Sequence, residues 1–188
     1  MDNFIRINLG CGQMRLPGFV GIDNNPNTAA ADVVHNLNIF PYPFTDSSVG
    51  EVLMNHVLEH LENPIEVLIE LYRICSNGAK ITIKSPHFSC NWLHPGHRSP
   101  ISTMLFDYFN QGTSDFYGNC YFKVNFIGLK WLKPKGPHGW LPKVIGRFID
   151  IFANLHLGFC QRVWCYWVGG FEEIEFDVTV LKPLLPKK

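Results

Sequence analysis

The sequence predicts an α/β fold built on a mostly parallel sheet. Strand and helix signals alternate through the first half of the chain, and the strands there are short and apolar. A last segment, 173–182, alternates polar and apolar residues with a period of two and predicts one more strand. The 188 residues, of which 46% are hydrophobic, suit a single domain and exclude disordered or fibrous chains.

The elements of the first half follow from local patterns. Short apolar stretches predict strands at 4–9, 19–23, 32–35, 51–55 and 79–84. The apolar residues at 65, 68, 69, 72 and 75 have the helical period, and Pro64 suits a first helical turn, so a helix is predicted over 62–75. Ser76, Asn77 and Gly78 predict the end of that helix.

The second half is rich in aromatic residues, glycine and proline. Its patterns predict a helix at 101–110, a strand at 121–127, a loop at 131–142 and an amphipathic helix at 142–159. No linker composition separates the halves, which predicts one domain over residues 1–188.

Charge and cysteine usage narrow the class of protein. Sixteen basic and sixteen acidic residues give no net charge, so the whole chain offers no argument for nucleic-acid binding. Segment 121–171 nevertheless holds seven basic residues and one acidic residue. The six cysteines form no CxxC pair, and no disulfide framework is expected. Neither a signal peptide nor an apolar stretch of spanning length is visible, so we expect a cytoplasmic protein.

A glycine turn after the first strand indicates a ligand site. Gly10 and Gly12 follow the strand within Asn8-Leu9-Gly10-Cys11-Gly12, where they let a ligand approach the backbone closely. Asp23 ends the second strand, a position from which a carboxylate can accept hydrogen bonds from both hydroxyls of a ribose. Glycine turns alone are common, but the combination favours a nucleoside-type ligand.

With these residues the sequence resembles the class I S-adenosylmethionine (SAM)-dependent methyltransferases, and in particular their small methyltransferase-11-like type. The resemblance covers about residues 4–86. It rests on the ordered motifs INLGCG, GID, HNLNIFPYPFTDSSVGEVLMNHVLEHL and LYRICSNGAKITIKSP. It implies a three-layer α/β sandwich, with a Rossmann-like, mostly parallel sheet and an antiparallel C-terminal edge hairpin formed by the predicted strands at 121–127 and 173–182. It also divides the domain into a cofactor-binding half (1–86), a substrate-side cover (87–172) and a C-terminal edge strand and tail (173–188).

The resemblance also implies a set of cofactor-binding residues. Residues 9–12 would line the methionine part of SAM, Asp23 and Asn24 would take the ribose, Asn36 and Leu37 the adenine, and Asn55 and His56 would lie beside the sulfonium. The full set is Leu9, Gly10, Cys11, Gly12, Asp23, Asn24, Asn36, Leu37, Asn55 and His56.

Two departures from the family pattern qualify this site. Ten residues separate Gly12 from Asp23, so the first crossover helix is expected to be very short or absent. This argues against NAD, whose pyrophosphate needs a full helix N-terminus, whereas SAM has no phosphate. Asn36 stands where the family often has an acid, so its contact with adenine would lack charge assistance.

Histidines raise the question of a metal. His56 and His60 are spaced i, i+4, and His87, His94 and His97 are clustered after the fifth predicted strand. Neither group forms a complete ligand set with acids or thiolates, so no metal is expected. A structural role in the turn is expected for Glu59 and His60.

The acceptor site is expected in the segment that follows the fifth strand, where the crevice above the sheet opens. We predict His87 and His97 as catalytic residues, with proton removal as their task where the acceptor requires it, and His94 and Arg98 as substrate-binding residues. A purely structural role for the histidines stays open.

The basic, aromatic segment 121–171 has two main interpretations. The first is a helical cover, whose apolar stripe packs on the sheet and closes the site; the stripe consists of Val144, Ile145, Phe148, Ile149, Phe152 and Leu155. The second is an interfacial helix, in which 142–167 makes weak contact with a membrane surface and Lys143, Arg147 and Arg162 supply the charge. We favour the cover. RNA binding ranks last, because no RNA-binding motif is visible.

The predicted function is SAM-dependent methyl transfer to a small-molecule acceptor, apolar or glycosyl-bearing, by in-line displacement in a largely enclosed pocket. The product of the cofactor would be S-adenosyl-L-homocysteine. The rival interpretation is a non-catalytic SAM-binding module or a peripheral membrane-associated module.

Overall fold

A computed structural model describes residues 4–91, 94–109, 120–133 and 139–182. In these residues seven strands form one sheet in the order β3-β2-β1-β4-β5-β7-β6. The first five strands run parallel, and β7 is antiparallel to both β5 and β6. The elements are β1 (Ile5–Leu9), β2 (Val20–Asp23), β3 (Val33–Val34), β4 (Val49–Asn55), α1 (Pro64–Ile74), β5 (Cys75–Ser85), β6 (Phe122–Lys130), α2 (Trp140–Leu155) and β7 (Glu173–Val180).

This topology confirms the predicted Rossmann-like, mostly parallel sheet with an antiparallel pair at its C-terminal edge. β6 and β7 pair from Phe122 opposite Val180 to Lys130 opposite Glu173, with α2 in the long connection between them. The first crossover, between β1 and β2, consists of turns in place of a helix, as its length predicts.

The helix α1 ends more abruptly than the sequence predicts. Asn63 caps its first turn by accepting hydrogen bonds from two backbone N–H groups, and Pro64 follows. At its other end Cys75 is already extended and pairs with Val49, so β5 follows α1 directly. The helix therefore ends where predicted, and Ser76–Gly78 belong to the strand that follows it.

The predicted helix at 101–110 is also wrong. Residues 101–109 form turns and one short 3₁₀ turn, Asp107–Phe109. Phe106 and Phe109 are fully buried and pack edge-on against Phe122. The two phenylalanine rings reach the core from a tight turn. Tertiary packing, and not the helical spacing of apolar residues, therefore decides the structure of this segment.

One face of the sheet carries the hydrophobic core. Along β1, β4, β5 and β7, alternate side chains are mostly apolar, and these apolar side chains point to this face, where they pack against α1 and the turns at 101–109. The other face is polar, with Arg6 bonded to Glu51 and Lys84 paired with Glu175. The core fixes the plane of the sheet and therefore the positions of the strand ends.

α2 contradicts the prediction that its apolar stripe packs on the sheet. Gly146 and Ala153 are its buried residues, whereas five of the six predicted stripe residues are exposed, among them Phe148 and Leu155. Ile149 is half-buried. The helix therefore turns its small residues toward the protein and its large apolar residues outward.

Candidate active site

The carboxyl ends of β1, β2 and β4 surround a cavity of about 330 Å³, a size typical of small-molecule sites. Gly10 follows β1, Asp23 ends β2 and His56 follows β4. The parallel arrangement places all three at one edge of the sheet. The remaining lining residues are Asn24, Asn36, Leu37, Asn38, Val57, His60 and Leu61.

The glycine turn is shaped for a close approach. Gly10 has a φ of 62°, and a Cβ there would lie 2.3 Å from a methyl carbon of Val57. Gly12 has a φ of 52°, and a Cβ there would meet no atom within 4 Å. Gly10 is therefore required by the protein's own packing, whereas the space beside Gly12 is open to a ligand.

Asp23 is held in a fixed orientation. Its Oδ2 accepts a hydrogen bond from Gly12 N at 2.9 Å, and its Oδ1 accepts one from Asn25 N at 3.0 Å. The two bonds point the half-buried carboxylate at the cavity. Each oxygen keeps a lone pair for a further donor, which is the chemistry that a ribose diol requires.

The turn after β3 supplies the opposite wall. Asn36 Oδ1 accepts from Asn38 N at 3.0 Å, which folds the turn on itself. Leu37 is buried, and its carbonyl accepts from the Tyr42 hydroxyl at 2.9 Å. Asn38 Oδ1 accepts from Glu62 N and ties this wall to the start of the α1 region.

The remaining predicted cofactor residues lie elsewhere around the turn. Leu9 is fully buried in the core and offers only its backbone. Cys11 and Asn55 line a neighbouring cavity of about 450 Å³ that shares Gly10 with the first one. Burial raises the pKa of the Cys11 thiol, and the charge of Asp23 adds to that effect, so Cys11 is a neutral side chain here.

His56 lies between two carboxylates. Its Nε2 is 3.1 Å from Glu173 Oε2, and its Nδ1 is 3.3 Å from Glu59 Oε1. The hydrogen bond to Glu173 and the ion pair with Glu59 raise the pKa of His56 to about 9, and the same hydrogen bond lowers the pKa of Glu173. At neutral pH the three groups carry a net charge of −1 beside the cavity.

Sequence reasoning missed Glu173 and underrated Glu59. Glu173 is the first residue of β7, more than a hundred positions from His56, and only the antiparallel insertion of β7 beside β5 brings the two together. Glu59 is fully buried, and its Oε2 also accepts from the Ser85 hydroxyl at 3.0 Å. The signal in the sequence was Glu59 itself, an acid three positions after the predicted His56, because an acid that becomes buried is almost always paired.

Three of the predicted acceptor-side residues gather at the rim of the cavity. The His97 ring lies 4.8 Å from the ring of His60, which lines the cavity, and 4.6 Å from the ring of His94. The backbone N–H groups of Arg98 and Ser99 donate to the carbonyl of Glu59. Glu59 and His60 therefore hold the segment 94–99 against the cofactor side.

The side chain of Arg98 is exposed and pairs with Glu62. It lies on the outer side of the same rim, since neither partner lines the cavity.

His87 occupies a different environment. It is fully buried, with Nδ1 2.7 Å from the Ser89 hydroxyl and its ring against Phe88 and Phe171. Burial lowers its pKa to about 4, while a contact with Gln161 opposes the shift. Because it does not reach the cavity, this position does not support the catalytic role predicted for His87.

Three residues at the rim have side chains close enough to one another to share a metal ion. Glu59, His60 and His97 each place one ligand atom within 4.8 Å of the others. Glu59 Oε2 already accepts from the Ser85 hydroxyl, whereas Glu59 Oε1 lies 3.3 Å from His56 Nδ1 and has no hydrogen-bond partner among the described residues. The absence of a metal stays a prediction.

Residues 9–83 match a family described as "Methyltransferase domain". A search of the curated proteins gave no match.

Solved structures show the same fold over nearly the whole chain. A SAM-dependent methyltransferase from Archaeoglobus fulgidus is 18% identical, with 95% of this chain and 87% of that chain covered at a TM-score of 0.53. The plantazolicin methyltransferase BpumL, in complex with a triazolic desmethylPZN analog and SAH, is 16% identical, covering 95% and 77% at 0.54. The [4+2]-cyclase SpnF is 11% identical, covering 96% and 76% at 0.55.

The family match lies in the first half of the chain, and the similarity in fold extends over nearly the whole chain. The chain has the fold of these SAM-dependent methyltransferase structures, with an antiparallel β6–β7 edge, and its residues 9–83 match the methyltransferase domain family. Among the described residues, no helix has the length and apolar character needed to cross a membrane.

Proposed function

We propose that the cavity at the ends of β1, β2 and β4 binds SAM and that the protein transfers its methyl group to a small-molecule acceptor. The observation that supports this most directly is the carboxylate of Asp23, fixed by Gly12 N and Asn25 N beside open space at Gly12. In this proposal Asp23 and Asn24 hold the ribose, the turn at Asn36 and Leu37 holds the adenine, and the backbone of 9–12 takes the methionine part.

The donor set fits this cofactor. SAM, when bound, supplies an electrophilic methyl group on a cationic sulfur. The cluster of His56, Glu59 and Glu173 carries a net negative charge at the end of β4, and a cationic centre is favoured beside it. Glu59 and Glu173 keep His56 from adding an unbalanced positive charge to that position.

The chain's part in the transfer is alignment and exclusion of water. In-line displacement needs the acceptor held opposite the leaving sulfur, and positioning alone contributes most of the rate. In this proposal the acceptor enters past the rim formed by His60, His94 and His97, of which His60 lines the cavity. Under the same proposal His97, whose ring packs against the cavity-lining His60, orients the acceptor or takes its proton.

An apolar or glycosyl-bearing acceptor suits the aromatic surroundings of this rim. The imidazole rings offer both a stacking surface and hydrogen-bonding nitrogens, and Arg98 adds a charge at the outer edge. Both features recur in sites that bind sugars or flat apolar molecules.

A non-catalytic SAM-binding module is the second candidate. The observation that favours it is the position of His87, one of the two predicted bases, which is buried and does not line the cavity. The likeness to a [4+2]-cyclase shows that the fold is compatible with other chemistry. Conversion of labelled SAM to S-adenosylhomocysteine in the presence of a metabolite extract separates the two candidates.

Calorimetry on Asp23→Ala tests the cofactor site. Loss of the carboxylate should weaken SAM binding by about 1.5–3 kcal/mol, the scale of hydrogen bonds to a charged group. Glu51→Ala is the matched control, since Glu51 is an acid on the polar face of the sheet, paired with Arg6. Equal affinity of the Asp23 variant and the wild type would exclude this assignment.

A further inference from the structure

α2 is attached to the protein by its polar side. Asp150 Oδ1 accepts from Trp131 N at 2.7 Å. Asn154 Oδ1 accepts from Leu129 N at 2.7 Å, and its Nδ2 donates to Leu129 O at 3.0 Å. These bonds to the end of β6, together with buried Gly146 and Ala153, fix which side of the helix faces outward.

The outward side is a continuous apolar surface, which we call the outer apolar face. Trp140 is 77% exposed, Phe148 70% and Trp167 85%. On α2 its members recur at helical spacing, and the helical turns at 157–167 extend it. The face consists of Trp140, Leu141, Val144, Ile145, Phe148, Ile151, Phe152, Leu155, Phe159, Val163, Tyr166, Trp167 and Val168. A helix that exposes its large apolar residues so completely marks an interaction site.

A basic cavity borders this face. Its volume is about 240 Å³, and its lining includes the cations Lys130, Lys133, Lys143 and Arg147. Asp150, the acid in the lining, is bonded to Trp131 N and lies 3.8 Å from Lys130. The backbone N–H of Lys133 donates to Glu172. Within residues 139–171 three Lys or Arg residues accompany the single acid Asp150.

We propose that the outer apolar face binds the surface of an anionic phospholipid bilayer, with a headgroup phosphate in the basic cavity. An interfacial helix needs a large apolar face, a cationic flank and few acids, and α2 has all three. Trp140, Tyr166 and Trp167 are of the residue types that prefer the depth of the headgroups.

Charge favours this occupant over a second copy of the chain. Self-association through a two-fold axis would bring Lys143, Arg147 and Arg162 of each copy toward those of the other. An anionic bilayer instead neutralises these cations while it covers the aromatic side chains.

Vesicle sedimentation with the full chain tests the proposal. We expect binding to vesicles of phosphatidylglycerol mixed with phosphatidylcholine, weakening as salt rises, and little binding to phosphatidylcholine alone. The double variant Phe148→Glu, Leu155→Glu and, separately, Lys143→Gln, Arg147→Gln should each weaken binding about tenfold. Lys80→Gln, Lys123→Gln is the matched control, because it removes two exposed cations outside the face and should change nothing.

SAM affinity and light-scattering mass are measured on the same preparations. Retained SAM affinity in both variants shows that the fold and the cofactor site are intact, so a failure here is distinct from a failure of the proposed function. Equal binding to both vesicle types would overturn the proposal. So would a wild-type dimer that Phe148→Glu, Leu155→Glu converts to a monomer, or binding of inorganic phosphate without binding of vesicles.

Discussion

At the scale of single residues, the cofactor side depends on a few fixed groups. Gly10 is required because Val57 occupies the space that a side chain would need, and Asp23 is oriented by two backbone bonds. The sequence predicted both residues because each has a local signature. It did not predict the partner of His56, since Glu173 reaches it only through the sheet.

The charge of His56 makes stability depend on pH. Its pKa is raised to about 9 in the folded protein, above the value of about 6.5 in an unfolded chain. The stabilisation is therefore complete below about pH 6.5 and is lost as the pH rises toward about 9.

We expect the free energy of unfolding to fall by up to about 3 kcal/mol across that range. Urea denaturation of the wild type and of His56→Gln, measured at about pH 6 and about pH 9.5, checks this. The variant should lack most of the slope, and an equal slope in both proteins would show that other groups are responsible.

The histidines at the rim lead to a prediction about metal. Glu59, His60 and His97 offer three ligand atoms, one fewer than a closed structural zinc site needs, and Glu59 Oε2 already accepts from the Ser85 hydroxyl. Protein purified without a histidine tag should contain well under one equivalent of zinc or iron by elemental analysis. One tightly held equivalent that disappears in His97→Ala would contradict this.

At the scale of elements, hydrophobic periodicity predicted the position of an element correctly where a single apolar pattern dominates the segment. α1 and all seven strands lie near their predicted positions. The helix predicted at 101–110 failed because Phe106 and Phe109 are buried from a turn. The predicted packing of α2 was wrong, because its apolar stripe faces outward. Periodicity locates such a stripe but does not show whether the protein or another surface covers it.

The helical turns after α2 contain a π-helical segment, Cys160–Trp164, that directs one polar side chain inward. Gln161 is buried, and its Oε1 accepts from Thr103 N at 2.8 Å and from the Thr103 hydroxyl. This contact attaches the helical turns at 157–167 to the turns at 101–109.

Gln161→Leu should lower the free energy of unfolding by about 1–3 kcal/mol, because Thr103 N would lose its acceptor in a buried site. Thermal and urea denaturation measure the effect. Arg162→Gln, at the exposed neighbouring position, should stay within about 0.5 kcal/mol of the wild type. Similar losses in both variants would mean that the π segment, and not the bond to Thr103, is the sensitive feature.

At the scale of the whole molecule, the cofactor and the acceptor are assigned to different stretches of the chain. The cofactor residues end with β4 and its following turn, whereas the segment 94–99 reaches the cavity only through bonds to Glu59 and His60. The fold brings the two stretches together at one edge of the sheet. The chemical identity of the acceptor does not follow from this arrangement, because it depends on the shape of the rim and not on the fold.

This division predicts that variants of the rim lose methyl transfer and keep the cofactor. His97→Ala removes the ring that packs against His60 and His94, and Arg98→Ala removes the outer charge paired with Glu62. Each should reduce the formation of S-adenosylhomocysteine from labelled SAM, in the presence of a metabolite extract, by at least about tenfold, because alignment dominates this chemistry. SAM affinity, measured by calorimetry, should stay nearly unchanged.

A purely structural role of the rim predicts a different result, in which both variants melt at lower temperature while turnover per folded molecule is preserved. Melting temperature, SAM affinity and turnover measured on the same preparations decide between the two, and normal turnover in both variants would place the acceptor site elsewhere.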